Sequence, residues 1–91
     1  TDETAVMLHL RPDLVDMSKA VRRIPEKMAD NRYVRFGGTV SFGWLSNDFF
    51  PEGHIGDPTH ATADMGRAMF DSAVANFVAA LGEVAVFNFG R

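Results

Sequence analysis

The sequence of 91 residues contains no cysteine, and this absence excludes several kinds of site. No disulfide framework, thiolate zinc site or thiol nucleophile can form in this chain. An excess of positive charge is also missing, since nine basic residues stand against 12 acidic ones and the formal net charge is −3. Nucleic-acid-binding domains are usually basic, so no nucleic-acid partner is expected. No apolar run approaches the roughly 20 residues that span a bilayer, so no membrane partner is expected either.

The chain does have an ordinary globular composition, with 46% hydrophobic and 23% charged residues. Its length allows one small domain at most, and one Trp, one Tyr and eight Phe are a large apolar load for that size. We therefore expect much of the surface to be covered by another chain. The sequence starts at Thr1 without an initiating Met or a signal-peptide pattern, which indicates a processed product or a piece of something longer.

Two helices are predicted. The first covers Asp2–Leu10 and ends before Pro12, because the residue preceding a proline avoids the helical region. The second covers residues 63–81, with Thr62 as the N-cap and Gly82 placed to stop it. Its apolar residues repeat at steps of three and four, which predicts one buried stripe formed by Phe70, Val74, Phe77 and Leu81.

The rest of the chain is predicted to be strand-like or irregular. Residues 33–45 look extended, with a bend at 37–38, because apolar residues alternate there with small polar ones. A short helical turn is expected around 18–23, and a loop over 47–58. An apolar tail over 84–89 is predicted to form a short strand that pairs with another strand or is buried at an interface.

The loop carries His54, Asp57 and His60, residue types that can ligate zinc or similar ions. Their spacing matches no metal signature, and the interpretation we favour is that Asp57 caps a turn. Thr1 offers a different chemistry, since a threonine at the start of a chain can act as a nucleophile with its own amine as the base. Such nucleophiles usually begin a strand, whereas a helix is predicted here.

Several stretches together resemble the creatininase family of amidohydrolases. The sequence ETAVML at 3–8, followed by RPDLV at 11–15, is similar to a helix of that family. GHIGDP at 53–58 and ATADMG at 61–66 are similar to the segment that enters its last helix, and WLSNDF at 44–49 resembles the stretch before that segment. The order and spacing fit over nearly the whole chain.

The resemblance implies an α/β fold, namely the C-terminal portion of a three-layer α/β/α sandwich completed by another chain. Residues 1–91 would form a single segment, the small subunit of a creatininase-like domain. Family members hydrolyse cyclic amides, formamides or other small C–N bonds, often as hexamers, and a cytoplasmic location is expected. The partner would be the N-terminal chain of the same precursor, separated by cleavage before Thr1.

The resemblance also implies how a site would be shared. Divalent metal ions (zinc, manganese or iron) would be held mainly by the partner chain, with no metal ligand in this one, and would activate a water molecule that attacks the amide. Glu3 matches the family's motif acid and would position the active-site His or bond backbone near the metals. Trp44, Asp48 and His54 would line the substrate pocket, although His54 stands where an apolar residue is usual. The alternatives are a hydrolase with Thr1 as nucleophile, or a non-catalytic assembly subunit.

Overall fold

A computed structural model describes all residues, 1–91, and the chain separates into two compact units. The first unit consists of Thr1–Asp16 and His60–Arg91, and the second of Met17–Thr59. The assignment of the whole chain to one segment of a family domain stays a prediction. The regular elements are α1 (Asp2–Leu10), α2 (Ser46–Phe49), α3 (Ala63–Val86) and three 3₁₀ turns at Pro12–Leu14, Met17–Lys19 and Glu26–Asp30.

The first unit is built on a close crossing of α1 and α3. Ala5 of α1 is fully buried and Ala61, just before α3, is 7% exposed. Gly66 of α3 lies against the backbone of α1, so that a Cβ at this position would be 1.7 Å from the carbonyl oxygen of Ala5. Small residues on both helices therefore allow their backbones to approach closely, and α1, too short to be stable alone, is held by this contact.

The predicted helix starts are confirmed. α1 covers the predicted residues, and the amide of Arg11 closes its last turn on Met7 O at 2.8 Å. At the start of α3, the Thr62 side chain accepts a hydrogen bond from the amide of Met65 at 3.2 Å, as expected for an N-cap.

The predicted end of α3 is wrong, because the helix continues through Gly82 to Val86. A glycine in a helix interior costs only about 1 kcal/mol relative to alanine, and good helix formers stand on both sides of it. Residues 84–86 are thus helical rather than the first part of a strand, and residues 87–91 have no regular structure.

The length of α3 also corrects the expectation that no apolar run approaches the length of a membrane span. The helix has 24 residues, and an 18-residue stretch of it has a mean hydropathy of 1.4, so it is long and apolar enough to cross a bilayer by length and composition. From Ser72 to the end of the helix only Glu83 is charged. The core helix of a soluble protein has the same properties, so this observation alone is weak evidence for a membrane.

The second unit contains no strand, contrary to the extended segment predicted over 33–45. Val34 and Val40 form only an isolated bridge, and a second isolated bridge joins Arg23 to Gly56. The short helical turn expected at 18–23 is a 3₁₀ turn at Met17–Lys19. The α/β/α sandwich concerns a complete family domain and stays a prediction for this chain, whose structure is mostly helical.

Candidate functional site

Glu3 lies in the first turn of α1, beside an apolar groove between α1 and α3. The groove has a volume of about 500 Å³. Farther along α1, the ring of His9 lies 5.7 Å from that of Phe70 on α3. Glu3 and Asp2 therefore place two carboxylates at a groove whose other lining residues are apolar. The groove is lined by Asp2, Glu3, Val6, Met7, Met69, Phe70 and Ala73.

The crossing of α1 and α3 brings together two of the sequence motifs noted above. The motif at 3–8 contributes the buried Ala5, and the motif at 61–66 contributes Ala61, the N-cap Thr62 and Gly66. The identity of each residue has a local physical reason. Ala5 and Ala61 are small and buried, Thr62 caps the helix, and Gly66 has no room for a Cβ. Two motifs whose first residues lie 58 positions apart in sequence thus form one structural unit that carries Glu3.

In the second unit, a tight turn over 35–38 places Phe36 at its tip. The amide of Gly38 bonds to the carbonyl of Arg35 at 2.9 Å, and Gly37 adopts a φ of 70°, which favours glycine. A Cβ on Gly38 would lie 2.5 Å from the carbonyl oxygen of Tyr33, so this position has no room for a side chain. The bend predicted at 37–38 is confirmed and requires both glycines.

Phe36 is the centre of an aromatic cluster that contains Trp44. The ring centroid of Phe36 lies 5.1 Å from that of Trp44, 5.5 Å from Phe49 and 6.0 Å from Phe42. Trp44 also contacts Phe49, at 5.6 Å. Trp44, predicted to line a substrate pocket, does line a recess of about 220 Å³ together with Arg35, Phe36 and Phe42. Sequence reasoning missed these last three, because it treated the alternation of Phe42 and Trp44 as a strand.

Asp48, also predicted to line the substrate pocket, forms a local hydrogen bond at the start of α2. Its Oδ2 accepts a hydrogen bond from the amide of Leu45 at 2.7 Å. A carboxylate in the first turn that bonds the preceding amide stabilises a helix start. Asp48 does not line the recess that contains Trp44.

His54, also predicted to line the pocket, is bonded to the backbone. Its Nε2 lies 2.9 Å from the carbonyl oxygen of Val21, and the group is partly buried. Because a carbonyl only accepts, Nε2 carries the proton that it donates; in the neutral ring Nδ1 is then an acceptor. Gly56 and Arg23 exchange two backbone hydrogen bonds of 2.8 Å, so the loop that holds His54 is fastened to residues 21–23.

An ion pair reinforces the same attachment. Nη2 of Arg23 lies 2.6 Å from Oε1 of Glu52, and the guanidinium carbon is 5.9 Å from the ring centre of Phe50. The hydrogen bond from Arg23 lowers the pKa of Glu52 below its ordinary value, and the same bond raises the pKa of Arg23. Sequence reasoning did not find this pair, whose members are 29 positions apart.

No three side chains of this chain form a group that could hold a metal ion. The loop set of His54, Asp57 and His60 does not form such a group. The favoured interpretation of Asp57 is confirmed, because its Oδ1 accepts hydrogen bonds from the amide of Thr59, at 3.0 Å, and from the Thr59 hydroxyl. The residues present therefore do not fit a metal ion by themselves.

Thr1 is the N-cap residue of α1, and its carbonyl accepts the amide of Ala5 at 2.8 Å. It thus precedes a helix and not the strand that usually begins with an N-terminal nucleophile. The structure brings Glu3 to one unit, where it lines the groove between α1 and α3, and Trp44, Asp48 and His54 to the other, where Trp44 lines the aromatic recess.

Comparison with curated proteins and with solved structures gives no match. Comparison with protein-family models does give one, to the family described as creatininase, creatinine amidohydrolase, over residues 1–81. The matched region contains every motif that suggested the resemblance, including both halves of the α1–α3 crossing. Members of this family are amidohydrolases and are typically metal-dependent. Because the match spans most of its length, the chain belongs to the creatininase family.

Proposed function

We propose that this chain is one part of a metal-dependent amidohydrolase that cleaves a small amide, formamide or cyclic amide. The observation that carries the proposal is the match to the creatininase family over residues 1–81. The α1–α3 crossing supports it, since two separate motifs of the resemblance form a single packed unit that presents Glu3.

The metal ions of such an enzyme would be held outside this chain. No group of three potential ligands exists here, so zinc, manganese or iron would be bound mainly by the N-terminal part of a creatininase domain. A bound metal supplies an activated water molecule and a positive charge that stabilises the oxyanion. Glu3 would hold the histidine or backbone next to that metal, and it would do so from a fixed position on α1.

A partner is also supported by what the chain leaves exposed. Ala5 and Ala61 are its only buried hydrophobic residues, whereas many large apolar side chains are more than one-third exposed. Burial of apolar surface is the main source of folding stability, and so little burial indicates that the core is completed by another polypeptide. We infer that this polypeptide is the remaining part of the family domain.

Trp44 is the residue we propose for substrate contact, because it lines the recess of the second unit. We propose that Asp48 and His54 support the substrate loop and do not contact the substrate directly. Each is hydrogen-bonded to backbone, and each would keep the loop around the substrate in one conformation.

The test is an activity screen on the complex with the co-purifying partner, using creatinine, N-formyl compounds and short peptide amides. We expect hydrolysis of at least one of them, detected as ring opening of creatinine, as formate from an N-formyl compound or as ammonia from a peptide amide. Turnover should be lost after chelation and recover after adding zinc or manganese. Turnover that survives chelation but is abolished by Thr1→Ala would instead establish the Thr1 nucleophile. Absence of turnover of all these probes by a metal-loaded complex would contradict the proposal and favour a non-catalytic assembly subunit.

A further inference from the structure

The aromatic recess of the second unit is also cationic. Arg35 forms part of its wall, beside the rings of Phe36, Phe42 and Trp44. In the turn at 35–38, Arg35 thus supplies a guanidinium group and Phe36, at the tip, supplies an aromatic ring. We call this feature the Arg35 recess; it is lined by Arg35, Phe36, Val40, Ser41, Phe42, Trp44 and the two glycines at 37–38.

Arg35 has a poorly satisfied side chain. Its one side-chain hydrogen bond runs from Nη1 to the carbonyl of Asn31 and is long, at 3.5 Å. Glu26 lies with Arg35 in the wall of a neighbouring hollow, but its carboxylate is already paired with Arg22 at 2.8 Å. A guanidinium has five N–H donors, so most of those of Arg35 are free for a ligand.

The sequence around Arg35 is also positively charged. Residues 31–47 contain two arginines and no aspartate or glutamate, although the chain as a whole has a net charge of −3. The recess is therefore a positive region on an acidic protein. An anionic group entering it meets no carboxylate from its own stretch of chain.

The walls select the shape of the ligand. Ring faces favour a flat, unsaturated partner, which stacks or packs edge to face at about 4.5–7 Å between centroids. A guanidinium favours a carboxylate, because two parallel N–H groups match its two oxygens. The volume of about 220 Å³ lies below that of pockets for drug-sized ligands, about 300–1,000 Å³, which limits the ligand to a single ring or a similar planar group.

The walls of the recess are held by contacts within the chain. Gly37 and Gly38 fix the turn, and three rings contact Phe36. A wall that is already ordered loses little conformational entropy when a ligand binds. Trp44 is 42% exposed and Phe36 is 41% exposed, so both retain free ring surface for the contact.

We propose that the Arg35 recess binds a small planar molecule that carries a carboxylate, with the ring against Phe36 and Trp44 and the carboxylate on Arg35. If the proposed function holds, this binding site assigns the substrate class. The amide that is cleaved then belongs to a molecule with a planar group and an anionic group. The binding site itself depends only on the chemistry of the recess.

The experiment measures binding by titration calorimetry on the protein with its co-purifying partner. The probes are benzoate, its neutral isostere benzamide, and cyclohexanecarboxylate, which keeps the charge but is not planar. Benzoate is expected to bind about tenfold more tightly than benzamide, because a hydrogen bond to a charged group is worth more than one to a neutral group. It is also expected to bind more tightly than cyclohexanecarboxylate, which cannot stack.

Variants assign the charge to one residue. In Arg35→Gln the preference for benzoate over benzamide is expected to disappear, whereas Arg35→Lys keeps part of it. Arg32→Gln is the matched control: Arg32 lies three residues away, stacks on Tyr33 at 5.3 Å and does not line the recess. It should leave the preference unchanged. Arg35 is exposed, so none of these changes should unfold the protein.

Equal affinities for benzoate and benzamide in the unaltered protein would overturn the proposal, as would a preference that survives Arg35→Gln. The amide screen is read separately. Benzoate binding that depends on Arg35, without turnover of any amide, would support the recess and contradict the proposed function. Turnover without such binding would support the proposed function and contradict the recess.

Discussion

At the scale of single residues, Asp48 can be tested as a local cap against a contact to substrate. Its carboxylate accepts the amide of Leu45, and Asp48→Ala removes this bond at a cost of about 1 kcal/mol. Asp48→Asn keeps an acceptor oxygen and should retain most of the stability and activity. Thermal unfolding and kinetics on both variants check this. An Asn variant as inactive as the Ala variant, with normal stability, would show that the charge itself meets the substrate.

Glu52 predicts a pH dependence of stability. Its pKa is lowered by the hydrogen bond from Arg23, so its contribution is complete above the ordinary pKa of a glutamic acid. The contribution is lost as the pH falls through the lowered pKa, because the folded form then takes up the proton. Arg23 stays charged throughout this range. We expect Glu52→Gln to unfold more readily than the unaltered chain at neutral pH, and the difference to vanish in acid.

The measurement is the midpoint of thermal unfolding against pH for both proteins, at low salt because the pair is partly exposed. Asp13→Asn serves as a comparison, since the pKa of Asp13 is also lowered, by its bond to Arg11 only two residues away. That pair fastens no distant segment and should have a smaller effect. Equal curves for Glu52→Gln and the unaltered chain at neutral pH would contradict the prediction.

Residue roles that depend on neighbours in sequence were the predictable ones. Thr62 as a cap and Asp57 as a turn residue bond groups two or three positions away, and both are confirmed. Trp44 was predicted to line a substrate pocket through a motif, and it does line a recess, but a substrate there stays a prediction. Arg23 with Glu52, and Phe36 with Phe49, join distant positions, and no periodicity in the sequence indicates such pairs.

At the scale of elements, two glycines of α3 are expected to respond to substitution in opposite ways. In Gly66→Ala the new Cβ would lie 1.7 Å from the carbonyl oxygen of Ala5, so α1 must move away from α3. Overpacking of this kind costs about 1–3 kcal/mol, and here the obstacle is backbone. In Gly82→Ala no atom lies within 4 Å of the new Cβ, and the free energy of unfolding should rise by about 0.5–1 kcal/mol.

Denaturant unfolding of both variants, with helix content followed by circular dichroism, measures the two effects. The matched pair separates close packing from helix propensity, because the same atom is added to the same helix. A gain in stability at both positions would mean that α1 and α3 do not cross at Gly66. A loss at both would contradict the continuous helix through Gly82.

Helix boundaries were predictable where a local signal has a single meaning, whereas the end of α3 and the strand were not. Pro12 and the capping Thr62 give one clear answer each. Gly82 allows two predictions, since a glycine can end a helix or be tolerated within it. The alternation at 40–44 has the period of a strand, but a strand also needs a partner, and the chain offers only an isolated bridge.

At the scale of the whole molecule, the chain contains large apolar side chains but buries almost none of them. The composition predicted this exposure, since a chain of 91 residues with two predicted helices cannot cover ten aromatic residues by itself. The position of the proposed partner could not be predicted, because local patterns do not specify what covers an apolar face. The exposed second half of α3 is the surface where the proposed partner would dock. Its large exposed residues are Phe77, Val78, Leu81, Val84 and Val86.

Phe77 provides the test at this scale. It is 65% exposed, so Phe77→Asp should change the stability of the isolated chain little. In the assembly the same change places a charge in an apolar contact, and loss of a buried aromatic anchor typically costs about 2 kcal/mol or more, which weakens association by more than about tenfold.

The matched control for Phe77→Asp is Ser72→Asp. It adds the same charge to an exposed position of the same helix, about 140° around the axis from Phe77 at roughly 100° per residue. Native mass spectrometry and sedimentation should show the partner lost from Phe77→Asp and retained by Ser72→Asp. Loss from both variants would mean that added charge alone disrupts the assembly. Retention by both would place the interface elsewhere, and the apolar side of α3 would then need another explanation than the missing part of a creatininase domain.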